Sequence, residues 1–297
     1  MTHNGRRSSP IEHGFPHLET VRAAVTALFR RLSADGIRAY DTAFDPADAA
    51  FPASEDLHLG AHRVASAMVR ALRLPDARLI VGFRPMEEAA TVELTAGPEY
   101  FVEVNDRFRV HRRDLAAALA HEVAHVLLHR LDLRFPATVD NEILTDTAAA
   151  YLGPGWLLLD AYREDELTHQ KLGYLTPEEF GYVLARRGRF LGGEDLSAWF
   201  TSPQAYEAYV RGRAQADRDL RRAPLAAARR AERLRYAAAR RSGAAPPGAP
   251  YGFEEHAGRL RVSFPCPVCG QRLRLPAGRG PLRARCGLCR TVLDCDT

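Results

Sequence analysis

His121, Glu122 and His125 lie within the run ALAHEVAHVLLHR, residues 118–130. On a helix, residues four apart share a face one turn apart, so the two imidazoles can reach one ion at about 2.0–2.1 Å. Glu122, the next residue round, is badly placed to ligate with them but well placed to take a proton from a water that the ion activates. Ala117, Leu119, Ala120, Val123, Ala124, Val126, Leu127 and Leu128 surround the triplet, which predicts a helix buried on most sides. Two histidines and a glutamate in such a helix incur a large desolvation cost unless something satisfies them, and a divalent cation does so.

A catalytic zinc takes three protein ligands and keeps one position open. An x-x-Gly-x-x-His extension is ruled out, because Leu128 and Leu131 occupy the two positions it needs. His129, a further turn along, would sit too far from the ion. The better source is DNEILTDTAAAYLG, residues 140–153, where Glu142 and Asp146 are four apart and share a helical face. Glu142 is preferred as the third ligand. Asp146 is then placed to accept the free N–H of a liganding imidazole and fix its tautomer. His58 and His62, in HLGAH, repeat the four-residue spacing without a glutamate between them or a companion motif, and read as ordinary packing histidines.

A second cluster lies near the other end. Cys266, Cys269, Cys286 and Cys289 form two CxxC pairs separated by sixteen residues, and no cysteine precedes them. Each CxxC turns the chain so that two sulfurs face one point, and the spacer suits a β-hairpin that brings the pairs together. Four thiolates in tetrahedral array make a closed structural zinc site, which should supply the folding energy of so small a module. Cys295 is the fifth cysteine and is expected to be a free thiol.

HEVAH followed by NEILTD resembles the gluzincin class of zinc metallopeptidases, and the short spacing is more like the minimal, ImmA-type members than the large thermolysin-like ones. The resemblance covers roughly residues 77–160. It implies His121, His125 and Glu142 as zinc ligands, Glu122 as general base and Asp146 supporting an imidazole. The strand EYFVEVN (99–105), just before the HExxH helix, also resembles these folds, where an edge strand binds extended substrate. No residue matches the family's transition-state stabiliser; Tyr151, His169 and Tyr174 are the available side chains. SFPCPVCG and ARCGLC resemble the zinc ribbon family, whose members bind nucleic acid or protein or simply stabilise.

The elements that must position these residues follow from periodicity. Helices are predicted over 17–36 (stopped by Gly36), 56–75, 111–133, 139–152 and 156–167. A further helix over 175–191 opens with a Thr176/Glu179 capping box, and an arginine-rich, largely helical stretch over 202–241 is interrupted by Pro224. Strands are predicted over 77–83, 90–96 and 99–105. The expected fold is α+β: a mostly helical, zincin-like domain with a small sheet before the HExxH helix, and a small C-terminal β zinc ribbon. Five segments result: a disordered tail 1–14, the metallopeptidase domain 15–201, the arginine-rich helical segment 202–241, a Pro/Gly/Ala linker 242–258 and the ribbon 259–297.

Charge is unevenly spread. Residues 1–202 carry a net −7, 203–241 a net +7 and 259–297 a net +6. Lys171 is the sole lysine, so a preference for arginine in coding contributes to this picture. A zinc with four thiolates would reduce the ribbon to about +4, and aromatic stacking platforms for single strands are scarce there. A protein partner for the ribbon is therefore favoured over nucleic acid. No run reaches the roughly 18 apolar residues of a membrane span, the first residues lack the apolar core of a signal peptide, and the cysteines are clustered rather than spread; a cytoplasmic protein is expected. The expected function is zinc-dependent hydrolysis of protein or peptide substrates, with two zinc ions per chain, one catalytic and one structural. The alternative is a zinc-stabilised scaffold that binds nucleic acid or an acidic protein through the arginine-rich helix and ribbon.

Overall fold

In the computed structural model, residues 11–52, 54–164, 169–192 and 195–297 are described; most of the predicted 1–14 tail and the last residues of the predicted 156–167 helix lie outside them. In chain order the elements are α1 (Leu18–Arg38), α2 (Pro46–Ala49), α3 (Leu57–Ala71), β1 (Arg78–Arg84), β2 (Ala90–Glu93), β3 (Glu99–Asn105), α4 (Leu115–Arg130), α5 (Thr138–Leu152) and α6 (Trp156–Asp160). They continue with β4 (Arg163–Glu164), β5 (His169–Gln170), α7 (Pro177–Leu191), α8 (Pro203–Leu220), α9 (Arg230–Ser242), β6 (Gly252–His256), β7 (Arg259–Pro265), β8 (Arg272–Pro276), β9 (Pro281–Arg285) and β10 (Val292–Asp296). The fold is α+β, as expected. The chain divides into two units: residues 1–21 with 40–212, and residues 22–39 with 213–297.

The first unit is built on a three-stranded sheet in the order β1-β3-β2, with β1 parallel to β3 and β2 antiparallel to it. Alternation along β1 and β3 buries Leu79, Val81, Tyr100, Val102 and Val104 and leaves Ile80 and Phe101 on the other face in solvent. α4 packs against this sheet and against α3, α5 and α6. Its positions are apolar all round, so it is buried almost throughout, as the alanine- and leucine-rich sequence requires. The predicted 111–133 helix is shorter than expected: 3-10 turns occupy Asp106–Arg109 and Arg112–Asp114, and the α-helix runs from Leu115 to Arg130.

Two other helix predictions change at their ends. α1 is broken at Ser33 (φ 63) rather than stopped at Gly36, and the Ser33 hydroxyl accepts from the Gly36 amide, starting a new turn. The segment 156–167 is helical only to Asp160. That carboxylate instead accepts from the Thr201 and Ser202 amides, and Arg163–Glu164 pairs with His169–Gln170 as a short ribbon. α7 starts as predicted, with Thr176 and Glu179 capping each other's backbone and Pro177 in the first turn. Residues ahead of α1 lie against this start: the Gly14 and His17 amides donate to Glu178 and Glu179.

In the second unit each CxxC is the turn of its own hairpin. β7 pairs with β8 across Cys266–Cys269, and β9 with β10 across Cys286–Cys289. The spacer between the pairs does form two strands, β8 and β9, but they pair outward with β7 and β10 and not with each other. β6, drawn from residues 242–258, adds a third strand beside β7. Tyr236 of α9 packs edge-on against Tyr251 at 5.0 Å and tilts over Phe253 at 5.7 Å. The last strand is held by Ala226, which donates to the Asp294 carbonyl, and by Asp296, which donates to the Pro224 carbonyl.

Residues 22–39 complete this unit. Thr26 Oγ1 donates to the Cys269 carbonyl at 2.7 Å, Arg30 reaches Gln271 and Arg290 pairs with Asp35 at 2.8 Å. Gly270 sits at φ +77 with Thr26 Oγ1 only 2.5 Å from where a Cβ would be, so a glycine is needed both for the turn and for the approach of α1.

Candidate metal centres

α4 and α5 lie side by side and bring the histidine pair and the first carboxylate together. His121 Nε2, His125 Nε2 and Glu142 Oε2 form a near-equilateral triangle: 3.1 Å between the two nitrogens and 3.2 Å from each nitrogen to the oxygen. Tetrahedral coordination at about 2.0–2.1 Å requires donors roughly 3.3–3.4 Å apart, so the triangle is the right size for a small divalent ion. Two ring nitrogens facing each other at this distance need a proton or a cation between them, and this group could hold an ion.

The remaining ring nitrogens are committed. His121 Nδ1 lies 2.8 Å from Asp146 Oδ1, and His125 Nδ1 lies 3.3 Å from Thr145 Oγ1, whose own proton goes to the Asn141 carbonyl. Both histidines therefore carry their proton on Nδ1 and turn a lone pair on Nε2 toward the shared point. Asp146 is fully buried, and its second oxygen accepts from the amides of Tyr174 and Leu175. That approach depends on Gly173, at φ +80, where a Cβ would lie 2.6 Å from the carboxylate. Lys171 Nζ donates to the Gly173 and Leu175 carbonyls and so shapes the same loop, and its burial lowers its pKa.

Electrostatics point the same way. Burial opposes a charge on His121, yet Asp146 and Glu142 together raise its pKa well above that of an ordinary histidine. Burial also works against ionised Glu142, but without an ion the two histidines, protonated on both ring nitrogens, overcome it and bring the carboxyl down to about 2. The site is thus built to hold positive charge, which a dication supplies. Glu122 is 5% exposed, and burial raises its pKa, partly offset by the two histidines.

Glu122 is not part of the triangle. It lines, with His121, His125, Glu142 and Tyr174, a cavity of about 620 Å³ whose wall includes Ala90, Thr91 and Val92 of β2. The resemblance put the strand at 99–105 beside the substrate. β3 is instead the central strand, and β2 is the edge that borders the cavity. Of the three side chains available as a transition-state stabiliser, Tyr174 is on the cavity and stacks on the His121 ring (centroids 6.2 Å, planes 24° apart). Tyr151 is fully buried, and His169 lies near Glu164. His129 is exposed at the end of α4. His62 hydrogen-bonds the Leu79 carbonyl and His58 packs edge-on against Phe83, so neither joins a metal cluster. Thr145, Gly173 and Arg107, which also lines the cavity, were not singled out from the sequence.

The cysteine cluster is closed. Cys266, Cys269, Cys286 and Cys289 are all buried, with Sγ–Sγ distances of 3.7 Å (266 to 289) and 3.6 Å (269 to 286). Zinc–sulfur bonds of about 2.3 Å in a tetrahedron need sulfurs roughly 3.8 Å apart, so this group too could hold an ion. The two turns are alike: the Cys266 amide donates to Gln271 and the Cys286 amide to Thr291, with Gly270 and Arg290 both at positive φ. Cys295 stands apart, buried, its thiol pushed up to about 11 by burial. Among the described residues these two clusters are the groups able to hold a metal, and no helix is long and apolar enough to cross a membrane. In comparisons with known proteins, no family model, no curated protein and no solved structure matches the chain.

Proposed function

We propose that the protein is a zinc-dependent metallopeptidase that hydrolyses peptide bonds, with His121, His125 and Glu142 as metal ligands, Glu122 as general base and a second, structural zinc on the four cysteines. The observation that carries this reading is the donor triangle beside a cavity that also contains a buried carboxylate outside the donor set. A purely structural metal site has no use for Glu122. An ion held by the triangle supplies Lewis acidity, lowering the pKa of water to about 7 and polarising a carbonyl.

The chain's own residues do the rest. Glu122 accepts the proton of the attacking water and delivers it to the departing amine, a role that its protected position favours. Asp146 and Thr145 hold the two imidazoles so that Nε2 faces the ion. The free edge of β2 can pair with an extended peptide through main-chain hydrogen bonds, laying its carbonyls along the cavity. Tyr174 is the side chain best placed to donate to the substrate's carbonyl oxygen.

The test is Glu122→Gln, assayed with a quenched fluorescent peptide library and with zinc quantified on the same sample. The expected result is a loss of turnover of about 10²-fold or more with zinc content unchanged. A wild-type chain that loads zinc yet cleaves no peptide, or a variant as active as wild type, would remove the reading; in that case the zinc-stabilised scaffold is what remains.

A further inference from the structure

Charge is divided between the two units somewhat more sharply than along the sequence. Residues 22–39 with 213–297 hold 22 arginines against eight acidic side chains, a net +14, whereas the other unit carries a net −10. A coding preference for arginine over lysine changes which cation is used, not where cations and carboxylates are placed. Four thiolates around a zinc would leave the basic unit at about +12.

The β6-β7-β8 sheet collects part of this charge on one face. In an antiparallel pair, residues directly opposite share a face, and along a strand alternate residues do. The register pairs Arg259 with His256, Arg261 with Glu254, Ser263 with Arg274 and Pro265 with Arg272. Arg259, Arg261, Arg272 and Arg274 therefore point to one side, and Leu260, Val262, Phe264, Leu273 and Leu275 to the other. Glu254, 2.7 Å from Arg274, is the face's only carboxylate, so the face keeps a surplus of positive charge. Arg259, Arg272 and Arg274 are exposed. Strand spacing of about 4.8 Å, and about 6.7 Å between alternate residues, sets these guanidinium groups at intervals suited to successive phosphates.

We propose that this arginine face binds the backbone of duplex DNA. The chemistry favours a duplex over a single strand because the large exposed aromatic side chains among the described residues, Phe101, Tyr174 and Tyr206, all lie in the other unit, and single strands need stacking platforms. The scarcity of aromatic residues that argued for a protein partner thus counts only against single strands. The face is that of a three-stranded sheet, with Arg259 and Arg261 on its central strand β7 and Arg272 and Arg274 on the edge strand β8. B-form DNA opens its major groove to about 12 Å and so exposes both bordering phosphate ridges to a face of this kind, while the A-form RNA groove is too deep and narrow. This site is independent of the His121/His125/Glu142 chemistry and stands whether or not the chain is a peptidase.

The test uses the full zinc-loaded chain and a 20-base-pair DNA duplex of mixed sequence, read by fluorescence anisotropy between about 50 and 200 mM salt. The fourfold variant R259Q/R261Q/R272Q/R274Q is compared with R70Q/R73Q/R78Q/R84Q, which removes the same charge from the other unit; equal zinc content checks that both have folded. The expected result is micromolar binding by wild type, a loss of about tenfold or more in the sheet variant, and a fall of about 3 to 4 in the slope of log K against log salt, with the control within about twofold of wild type. Absence of binding at the lowest salt, or equal losses in both variants, would overturn the proposal. So would equal affinity for a single strand or an RNA duplex of the same length, and equal affinity for an acidic polypeptide would assign the face to a protein partner instead.

Discussion

The two candidate metal centres differ in a way that separates structural from chemical roles. The cysteine cluster offers four donors of one kind, all buried, each pair set in the turn of a hairpin. The α4–α5 centre offers three donors of two kinds, partly accessible, supported by Asp146 and Thr145 and opening on a cavity with a further carboxylate. The first arrangement would use every valence of a tetrahedral ion to tie two hairpins together. The second would leave a position open on the ion, with its ligands oriented by Asp146 and Thr145. The contrast predicts that ion removal damages folding at one centre and only chemistry at the other.

The largest expected effect sharpens that difference. A Cys286→Ser/Cys289→Ser variant should hold one zinc instead of two and lose protease resistance across residues 252–297, because metal binding at such sites supplies about 10 kcal/mol or more. His121→Ala should also hold one zinc but keep its melting transition nearly unchanged. These point variants are preferable to truncation at residue 250, which would strip α1 of the contacts that Cys269, Gln271 and Arg290 make with it. If both variants melted alike, the distinction between the centres would be lost. Asp146→Asn comes next: it keeps the shape but weakens the acceptor for His121 Nδ1, and zinc affinity measured by competition with a chelator should fall about 10- to 100-fold. The smallest effect is expected for Thr145→Val, which removes the partner of His125 Nδ1 but leaves the larger network intact. A loss of about threefold to tenfold in the same competition assay is expected, and a loss exceeding that of Asp146→Asn would reverse the ranking of the two supports.

Much of the α4–α5 centre was readable because helical spacing is rigid. A separation of four positions between the histidines, and between Glu142 and Asp146, fixes which side chains share a face before any packing is known. The same applies to the cysteine pairs, where a CxxC turn has few ways to present two sulfurs. What sequence spacing could not reveal are the parts contributed by loops and by strand order. Thr145 was overlooked because a hydroxyl in a helix usually bonds its own backbone, as this one does toward Asn141, and its second role appears only once α4 is alongside. The 171–175 loop carries no motif, yet Gly173 and Lys171 shape the backbone that grips Asp146. β2 emerged as the edge because β1 runs parallel to β3, a pairing with no local signature. The overextended helix at 156–167 failed at Asp160, whose carboxylate is occupied by residues forty positions away.

The grip of residues 22–30 on the Cys266–Cys269 turn has a bearing on how the chain matures. Partners separated by some 240 positions along the polypeptide must meet before either is fully covered. During synthesis the first long helix waits with one flank bare until the final cysteines leave the ribosome, a delay that non-local contacts impose on any vectorially made chain. An ion on the four cysteines would then act as a checkpoint for the newborn protein, since a metal-starved chain would leave residues 22–30 and the Cys266–Cys269 turn unclasped together.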